Sequence, residues 1–296
     1  MKPRIAITVG DPAGIGPEIA SKAASDDRVR AACDPVLYGP PAGSTFEPGV
    51  LSAQAGRAAY EAICAAVRDA HSGKVQGIAT APVNKLAFAE AGLPWKGHTD
   101  LLGHLTGAAH VAMMFWSEPL KVVLATVHVS LASVPAALTR EVIDNTIALT
   151  ARELPRFGIA NPRIAVAGLN PHAGEEGLMG DEEQRVLRPA IDAASASGVR
   201  ISGPFPGDTV FVRAVSGEFD VVIACYHDQG LIPVKVMAFG HAVNVTLGLP
   251  IVRTSVDHGT AFDIAGRNVA NPTSMIEAVL LAARLAAPGV RSSRNA

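Results

Sequence analysis

Aromatic side chains are scarce in this chain, at 5% of 296 residues, so Ala, Val, Ile, Leu and Gly must fill whatever core it builds. That bias disfavours an all-β sandwich and suits a closely packed α/β protein. Neither charge is in excess: the formal net charge is −2. A nucleic-acid or membrane-surface binder would show a basic surplus, so both classes are excluded as expectations. Cysteine is rare, odd in number and scattered, at Cys33, Cys64 and Cys225. Such spacing argues against a disulfide framework or a CxxC metal site and fits a reducing cytoplasm. No apolar run approaches the roughly 18 residues of a membrane span. The opening MKPRIAITVGDP enters a strand-like run without the apolar core of a signal peptide. The expectation is a soluble, cytoplasmic chain. Internal repeats and low-complexity linkers are missing too, and only PPAGSTFEPG (Pro40–Gly49) and the tail after Pro288 read as loop.

What is present is a rhythm of short β-branched runs between longer Ala-rich segments. RIAITV, PVLY, GIAT, KVVLAT, RIAVAG, DVVIAC and AVNVTL are continuously apolar rather than alternating. That pattern predicts strands covered on both faces, as in a mainly parallel sheet. The segments between them read as helices. QAGRAAYEAICAAVRDAHSG stops at Gly73, Thr139 caps REVIDNTIALTARELPRFG, and DEEQRVLRPAIDAASASG opens with acids in its first turn. GDPAGIGPEI joins a strand to a helix through glycines, with Pro17 at the start of the helix.

Three of the nine histidines fall just past the carboxyl end of such a strand: His128 after KVVLATV, His172 after RIAVAGLNP and His227 after DVVIACY. In α/β sheets that edge is where ligands bind. Three imidazoles in one topological position predict a shared metal site suited to Zn, Co or Ni, with coordination positions left for substrate. His71, His104, His110 and His241 lack this context and read as surface or packing residues. Arg253, between LPIV and TSV, is oddly placed for a solvated charge and points to a buried phosphate or carboxylate. GHTD places His98 and Thr99 at a helix N-terminus, a natural anion site.

DHGTAFDIAGRNVANPTSMIEAVLLAARL (257–285) resembles the cofactor loop of isocitrate and isopropylmalate dehydrogenases, whose GDGIGPE is similar to the GDPAGIGPE found here. The resemblance implies their fold, two α/β/α domains with an interdomain active-site cleft. It also implies NAD, with Asp263 on the adenosine ribose and Asn271 near the adenine. GDPAGIGPEI, TAPVNK, GHTDLL, GLNPHAGEEGLMGDEE, GPFPGDT, YHDQGLIPVK and VNVTLGLPIVRTSVDHGTA together look like the 4-hydroxythreonine-4-phosphate dehydrogenases of vitamin B6 biosynthesis. By that likeness His128, His172 and His227 bind one divalent ion (Zn, Mg or Co). His98, Thr99, Lys235, Asn244 and Arg253 bind substrate, and Asp208 or Lys235 is the acid/base group. Residues 1–92 plus 265–296 would form a first domain carrying part of the NAD site. Residues 93–264 would form a second, with metal, substrate and dimer contacts. The likeness further implies a homodimer whose metal takes ligands from both subunits. Two departures stand out: the stretch from Gly39 to Ser52 is shorter than the family's, and Ala132 stands where an Arg is common.

The implied chemistry is NAD-dependent oxidation of 4-phosphooxy-L-threonine, with loss of CO2, to 3-amino-2-oxopropyl phosphate. The rivals are a dehydrogenase for D-threonate or D-erythronate 4-phosphate or a cyclic dihydrodiol acid, an acyl-phosphate transferase of similar fold, and a binding protein without activity.

Overall fold

The computed structural model describes residues 2–287, so the expected loop after Pro288 lies outside the described residues. The chain divides into two compact units, 1–109 with 243–296, and 110–242. In chain order the first unit holds β1 (Arg4–Thr8), α1 (Gly16–Ser25), α2 (Asp27–Ala32), β2 (Asp34–Tyr38), α3 (Ala53–His71), β3 (Gly77–Thr80), α4 (Lys85–Glu90) and α5 (His98–Thr106). The second unit holds β4 (Ala112–Trp116), β5 (Lys121–Leu124), α6 (Val134–Ala137), α7 (Arg140–Glu153), β6 (Ile164–Ala167), α8 (Arg188–Ala196), β7 (Ile201–Phe205), α9 (Val210–Val215), β8 (Val221–Ala224) and α10 (His227–Ala238). The chain then returns to the first unit with β9 (Val243–Leu247), β10 (Arg253–Ser255) and α11 (Thr273–Ala286).

Within the first unit the strands run in the order β2, β1, β3, β10, β9, the first four parallel and β9 antiparallel to β10. Within the second the order is β4, β5, β8, β6, β7, with β4 antiparallel to β5 and the rest parallel. The division differs from the expected one. Residues 93–109 and 243–264 belong to the first unit, because β10 pairs with β3 in that unit's sheet. His98, Thr99, Asn244 and Arg253 therefore share the first unit, and the candidate metal histidines sit in the second.

Strands β3, β4, β6 and β8 are buried at every residue, as continuous apolar runs covered on both faces should be. Three strands escape the sequence pattern. β4 is AMMFW, without the β-branched signature; β7 is ISGPF, broken by Gly and Pro; β10 has only three residues. Helix ends follow the expected chemistry more closely. Thr139 Oγ1 accepts from Val142 N at 3.3 Å, and Gly73 takes positive φ just past α3. Pro17 falls one residue inside α1 rather than at its first position. The acidic segment before α8 opens instead as a π-type turn, Glu183–Leu187. Pro189 has no N–H to return to Arg185, so the regular ladder cannot run through that point.

Gly230 lets α10 settle onto β5 and β8. A Cβ there would lie 2.5 Å from Leu124 Cδ2 and 2.8 Å from Val122 Cγ1, both buried strand residues. Gly230→Ala is expected to lower stability by about 1–3 kcal/mol, the scale of overpacking a filled core. Urea denaturation of the two proteins checks it, and an unchanged midpoint would show that the helix has room to move away.

Candidate active site

In the second unit β5, β8 and β6 are neighbours, parallel, and end on the same edge, so their loops leave side by side. The β5 and β8 loops stay joined beyond the strands. Ala125 N donates to Ala224 O at 2.9 Å, and Thr126 donates to Cys225 O from its Oγ1 at 2.8 Å. This brings His128 and His227 together, with ring centres 5.7 Å apart. Two imidazoles sharing one ion, with metal–nitrogen bonds of about 2.0–2.1 Å, place their ring centres roughly 5–6 Å apart. The pair fits a divalent cation on geometry and donor type.

His227 opens α10, and its Nδ1 lies 2.7 Å from Asp228 Oδ1. A carboxylate on Nδ1 fixes the ring and leaves Nε2 as the nitrogen for a metal. Asp228 was not singled out in the sequence. The signal was an acid directly after a candidate ligand, in YHDQ.

His172 lies on the other side of β8, at the end of β6. Among the described residues no three His, Cys, Asp or Glu side chains converge as a metal set, so the structure joins His128 with His227 and leaves His172 apart. Two adjoining pockets reach all three. One, of about 380 Å3, is lined by His128 and His227, and the other, of about 840 Å3, by His172 and Asp208. Tyr226 and Asp228 line both. Backbone strain marks the same places. His128 has φ +53°, and His172 begins a run in which every residue through Glu176 has positive φ. Left-handed backbone costs roughly 1–2 kcal/mol per non-glycine residue. Such outliers concentrate where function needs a fixed geometry. Lys235 is exposed on α10, and Asp208 is exposed at the mouth of the larger pocket. The cysteines offer no nucleophile there: burial, and secondarily the charge of Glu183, push the Cys225 thiol far above its ordinary value.

The first unit builds a polar face inside an apolar sheet. Thr8, Thr80, Ser255 and Asn244 stand in register across β1, β3, β10 and β9. Arg253, two residues before Ser255, shares their face. Its side chain is 2% exposed, and its two terminal nitrogens donate to Thr246 Oγ1 at 2.9 Å and Thr80 Oγ1 at 2.8 Å. Among the described residues no carboxylate pairs with it, and its Nε has no partner. Burial without a counter-ion lowers its pKa to about 9. His98, at the start of α5, also has an enclosed, unpartnered Nε2. Burial first, and Arg253 second, hold its pKa well below the histidine range, so the ring is neutral. Asn244 Oδ1 is likewise buried and unpartnered, and Thr99 is half-buried beside His98. Buried polar atoms without partners are rare in folded proteins and call for a ligand or water.

Two segments far apart in sequence, 15–22 and 260–270, meet in the same unit. Ile15 N donates to Thr260 O at 3.0 Å, and Glu18 Oε1 accepts from Ala270 N at 2.7 Å and from Lys22. The GDPAGIGPE and DHGTAFDIAG segments thus form one packed loop pair. Asp263 is exposed on the turn Phe262–Ile264. Asn271 Oδ1 accepts from Thr273 N at 2.9 Å and from Thr273 Oγ1 at 2.6 Å, in the turn just before α11. Asp11, also missed from the sequence, is buried with Oδ1 bound to Ala13 N and Oδ2 unpartnered, and burial raises its pKa.

Residues 17–282 match the family described as pyridoxal phosphate biosynthetic protein PdxA. The 4-hydroxythreonine-4-phosphate dehydrogenase of Beijerinckia indica is 45% identical, covering 96% of this chain and 95% of its own. That alignment runs over 321 positions, more than the 296 residues here, so the relative carries segments this chain lacks. The D-threonate 4-phosphate dehydrogenase of Pectobacterium atrosepticum is 41% identical, covering 95% of this chain and 99% of its own. The crystal structure of 4-hydroxythreonine-4-phosphate dehydrogenase from Klebsiella pneumoniae has a TM-score of 0.84 at 42% identity, over 97% of this chain and 98% of its own. An isocitrate dehydrogenase from Methylococcus capsulatus, 18% identical over 96% of this chain and 87% of its own, shares the fold at a TM-score of 0.51.

An unpaired buried guanidinium should be stabilised by an anion. Inorganic phosphate is expected to raise the Tm of the wild type and leave that of Arg253→Met unchanged, with about 2.7 kcal/mol gained at a hundredfold excess over Kd. The protonated, anion-binding form persists below about pH 9 and is lost as pH rises through that value. The phosphate effect is therefore present at neutral pH and fades above it. Equal Tm shifts in both proteins would remove Arg253 from an anion site.

Proposed function

The chain belongs to the PdxA family of dehydrogenases, and we propose that it is a cytoplasmic, NAD-dependent, metal-assisted enzyme that oxidises 4-phosphooxy-L-threonine to 3-amino-2-oxopropyl phosphate and CO2 in pyridoxal phosphate biosynthesis. The observation that carries this reading is the buried Arg253 guanidinium, held among the described residues only by hydroxyls. A phosphorylated acid supplies the missing negative charge, and a neutral substrate does not. In this reading Arg253 and Lys235 bind the substrate's anionic groups, while the neutral His98, Thr99 and Asn244 supply hydrogen bonds.

His128, His172 and His227 would hold a divalent ion (Zn, Mg or Co). The His128–His227 spacing supports two of the three ligands, and a set drawn from both subunits of a homodimer would complete it. A bound ion would supply Lewis acidity at the substrate's secondary hydroxyl, and NAD would supply the hydride acceptor. Lys235 or Asp208 takes the hydroxyl proton. The β-keto acid then loses CO2. Asp263 would accept hydrogen bonds from the 2′-hydroxyl of the adenosine ribose and repel a 2′-phosphate, which would favour NAD over NADP, and Asn271 would lie near the adenine.

A second reading rests on the relative named for D-threonate 4-phosphate. That substrate differs from the first by a hydroxyl in place of the amine, and none of the residues assigned above discriminates the two. An exposed apolar face favours the homodimer. Val212, Ile232, Val236 and Phe239 of α9, α10 and the residue after it are 62–78% exposed, an arrangement typical of protein–protein interfaces.

The deciding assay is NADH formation by purified protein with a divalent metal and either 4-phosphooxy-L-threonine or D-threonate 4-phosphate. Turnover is expected with the first, with NAD favoured over NADP, and equal or better turnover of D-threonate 4-phosphate would install the second reading. Arg253→Ala should raise KM for the phosphorylated substrate by a factor equivalent to about 2–5 kcal/mol while leaving KM for NAD little changed. Full turnover of an unphosphorylated hydroxy acid would refute the phosphate assignment. For the dimer, Val236→Asp is expected to halve the mass measured by light scattering, and a monomeric wild type would end that part of the reading.

A further inference from the structure

The run of left-handed backbone that carries His172 needs something to hold it, and the structure assigns that task to Glu183. Its carboxylate is 1% exposed, and among the described residues no cation pairs with it. Oε1 accepts from Asn170 N at 2.8 Å and Oε2 from Asn170 Nδ2 at 3.0 Å, two residues before His172. Glu182 Oε2 takes the same Nδ2 at 2.7 Å. Glycines on both sides make room for the carboxylate. A Cβ on Gly168 would sit 3.3 Å from Oε1, and one on Gly174 would sit 2.7 Å from Oε2. Glu183 therefore grips the loop at Asn170, just before His172, and lies against Gly174 just after it. The π-type turn Glu183–Leu187 delivers it there. On the far side, Gln229 Nε2 donates to Gly168 O at 2.7 Å while Gln229 Oε1 accepts from Cys225 N at 2.7 Å. That amide ties the root of the His172 loop to the strand end that carries His227.

We propose that Glu183 is a positioning residue. It fixes Asn170 and so holds His172 in its strained conformation, ready to ligate, with Gln229 setting the spacing to the His227 strand. The link to metal rests on the ligand assignment proposed above; the grip on the loop does not. Surrounding partners of a metal ligand that are lost in this way weaken binding by about 10–100-fold.

The test uses Glu183→Gln, which keeps the volume and places an amide donor against Asn170 Nδ2. In metal-free protein, hydrogen exchange over residues 170–180 is expected to quicken while exchange in β6 and β8 stays as in the wild type. Titration with Co2+, followed by its visible absorption, should then show affinity reduced about 10–100-fold with a changed spectrum. In turnover, kcat should fall while KM for NAD stays level. Should Glu183→Gln fold poorly, Asn170→Ala removes the side-chain half of the grip and serves for the same measurements. Exchange unaltered in the loop overturns the positioning role. Quickened exchange with unchanged Co2+ affinity overturns its link to the ligand. His172→Ala separates that outcome from failure of the ligand assignment: normal Co2+ affinity in that variant removes His172 from the metal while the exchange result still judges Glu183.

Discussion

Parallel strands must all end on the same edge, and the arrangement of groups in the second unit follows from that. Because β5, β8 and β6 are adjacent and parallel, three loops of quite different length leave one line of backbone. The loop after β5 stays zipped to the loop after β8 for two more residues, so His128 and His227 meet. The loop after β6 instead turns through left-handed backbone, and His172 comes to rest on the other side of β8. A sheet with an antiparallel strand at the centre of this trio would have sent one histidine to the opposite edge.

The polar face of the first unit obeys the same geometry with the opposite chemistry. Strand periodicity puts Arg253 on one face with Ser255, and register puts Thr80 and Asn244 beside them. Desolvating a guanidinium is costly, and hydroxyl partners recover only part of that cost. A protein selected for stability alone would place an apolar residue there. Burial of the guanidinium lowers the pKa of Arg253, and burial of the His98 ring, with the Arg253 charge second, suppresses protonation of His98. Among the described residues that polar face carries one buried cation, Arg253, among neutral hydrogen-bonding groups.

Much of this was legible in the sequence because it depends on local pattern. Continuous apolar runs placed most of the strands, and the position of three histidines just past them located the candidate metal ligands. An arginine inside an apolar stretch singled out Arg253, which is buried with its Nε unpartnered. What escaped depends on tertiary context. β4, β7 and β10 are strands only because neighbours pair with them, and the short β10 draws residues 243–264 into the first unit. In the sequence Glu183 is one of several acids opening a helical segment, and Asp228 shows nothing beyond its place directly after His227. Their roles appear only when the 2.7 Å contact to His227 and the grip on Asn170 are seen. The separation of His172 from the other two histidines follows from strand order, which one sequence does not reveal.

Local rules are broken in this chain chiefly where ligands are expected, and that pattern is itself an argument. Natural sequences agree with their folds at most positions and depart from them at functional sites. Here the departures are of two kinds. The first is conformational: non-glycine residues at positive φ cluster at His128, at His172–Glu176, and at Ala261 and Asn268 flanking Asp263. The second is electrostatic: atoms of His98, Asn244 and Arg253 lie buried without partners in one unit. Neither kind follows from packing, since the surrounding strands are among the best buried in the molecule. The strained backbone marks the candidate metal and cofactor loops, and the unpaired polar atoms mark the candidate anion site. Strain suits groups that must be aimed, because it is sustained only where neighbours over-determine the backbone. Unsatisfied polarity suits groups that await a charged ligand, because binding recovers the desolvation cost that folding leaves outstanding.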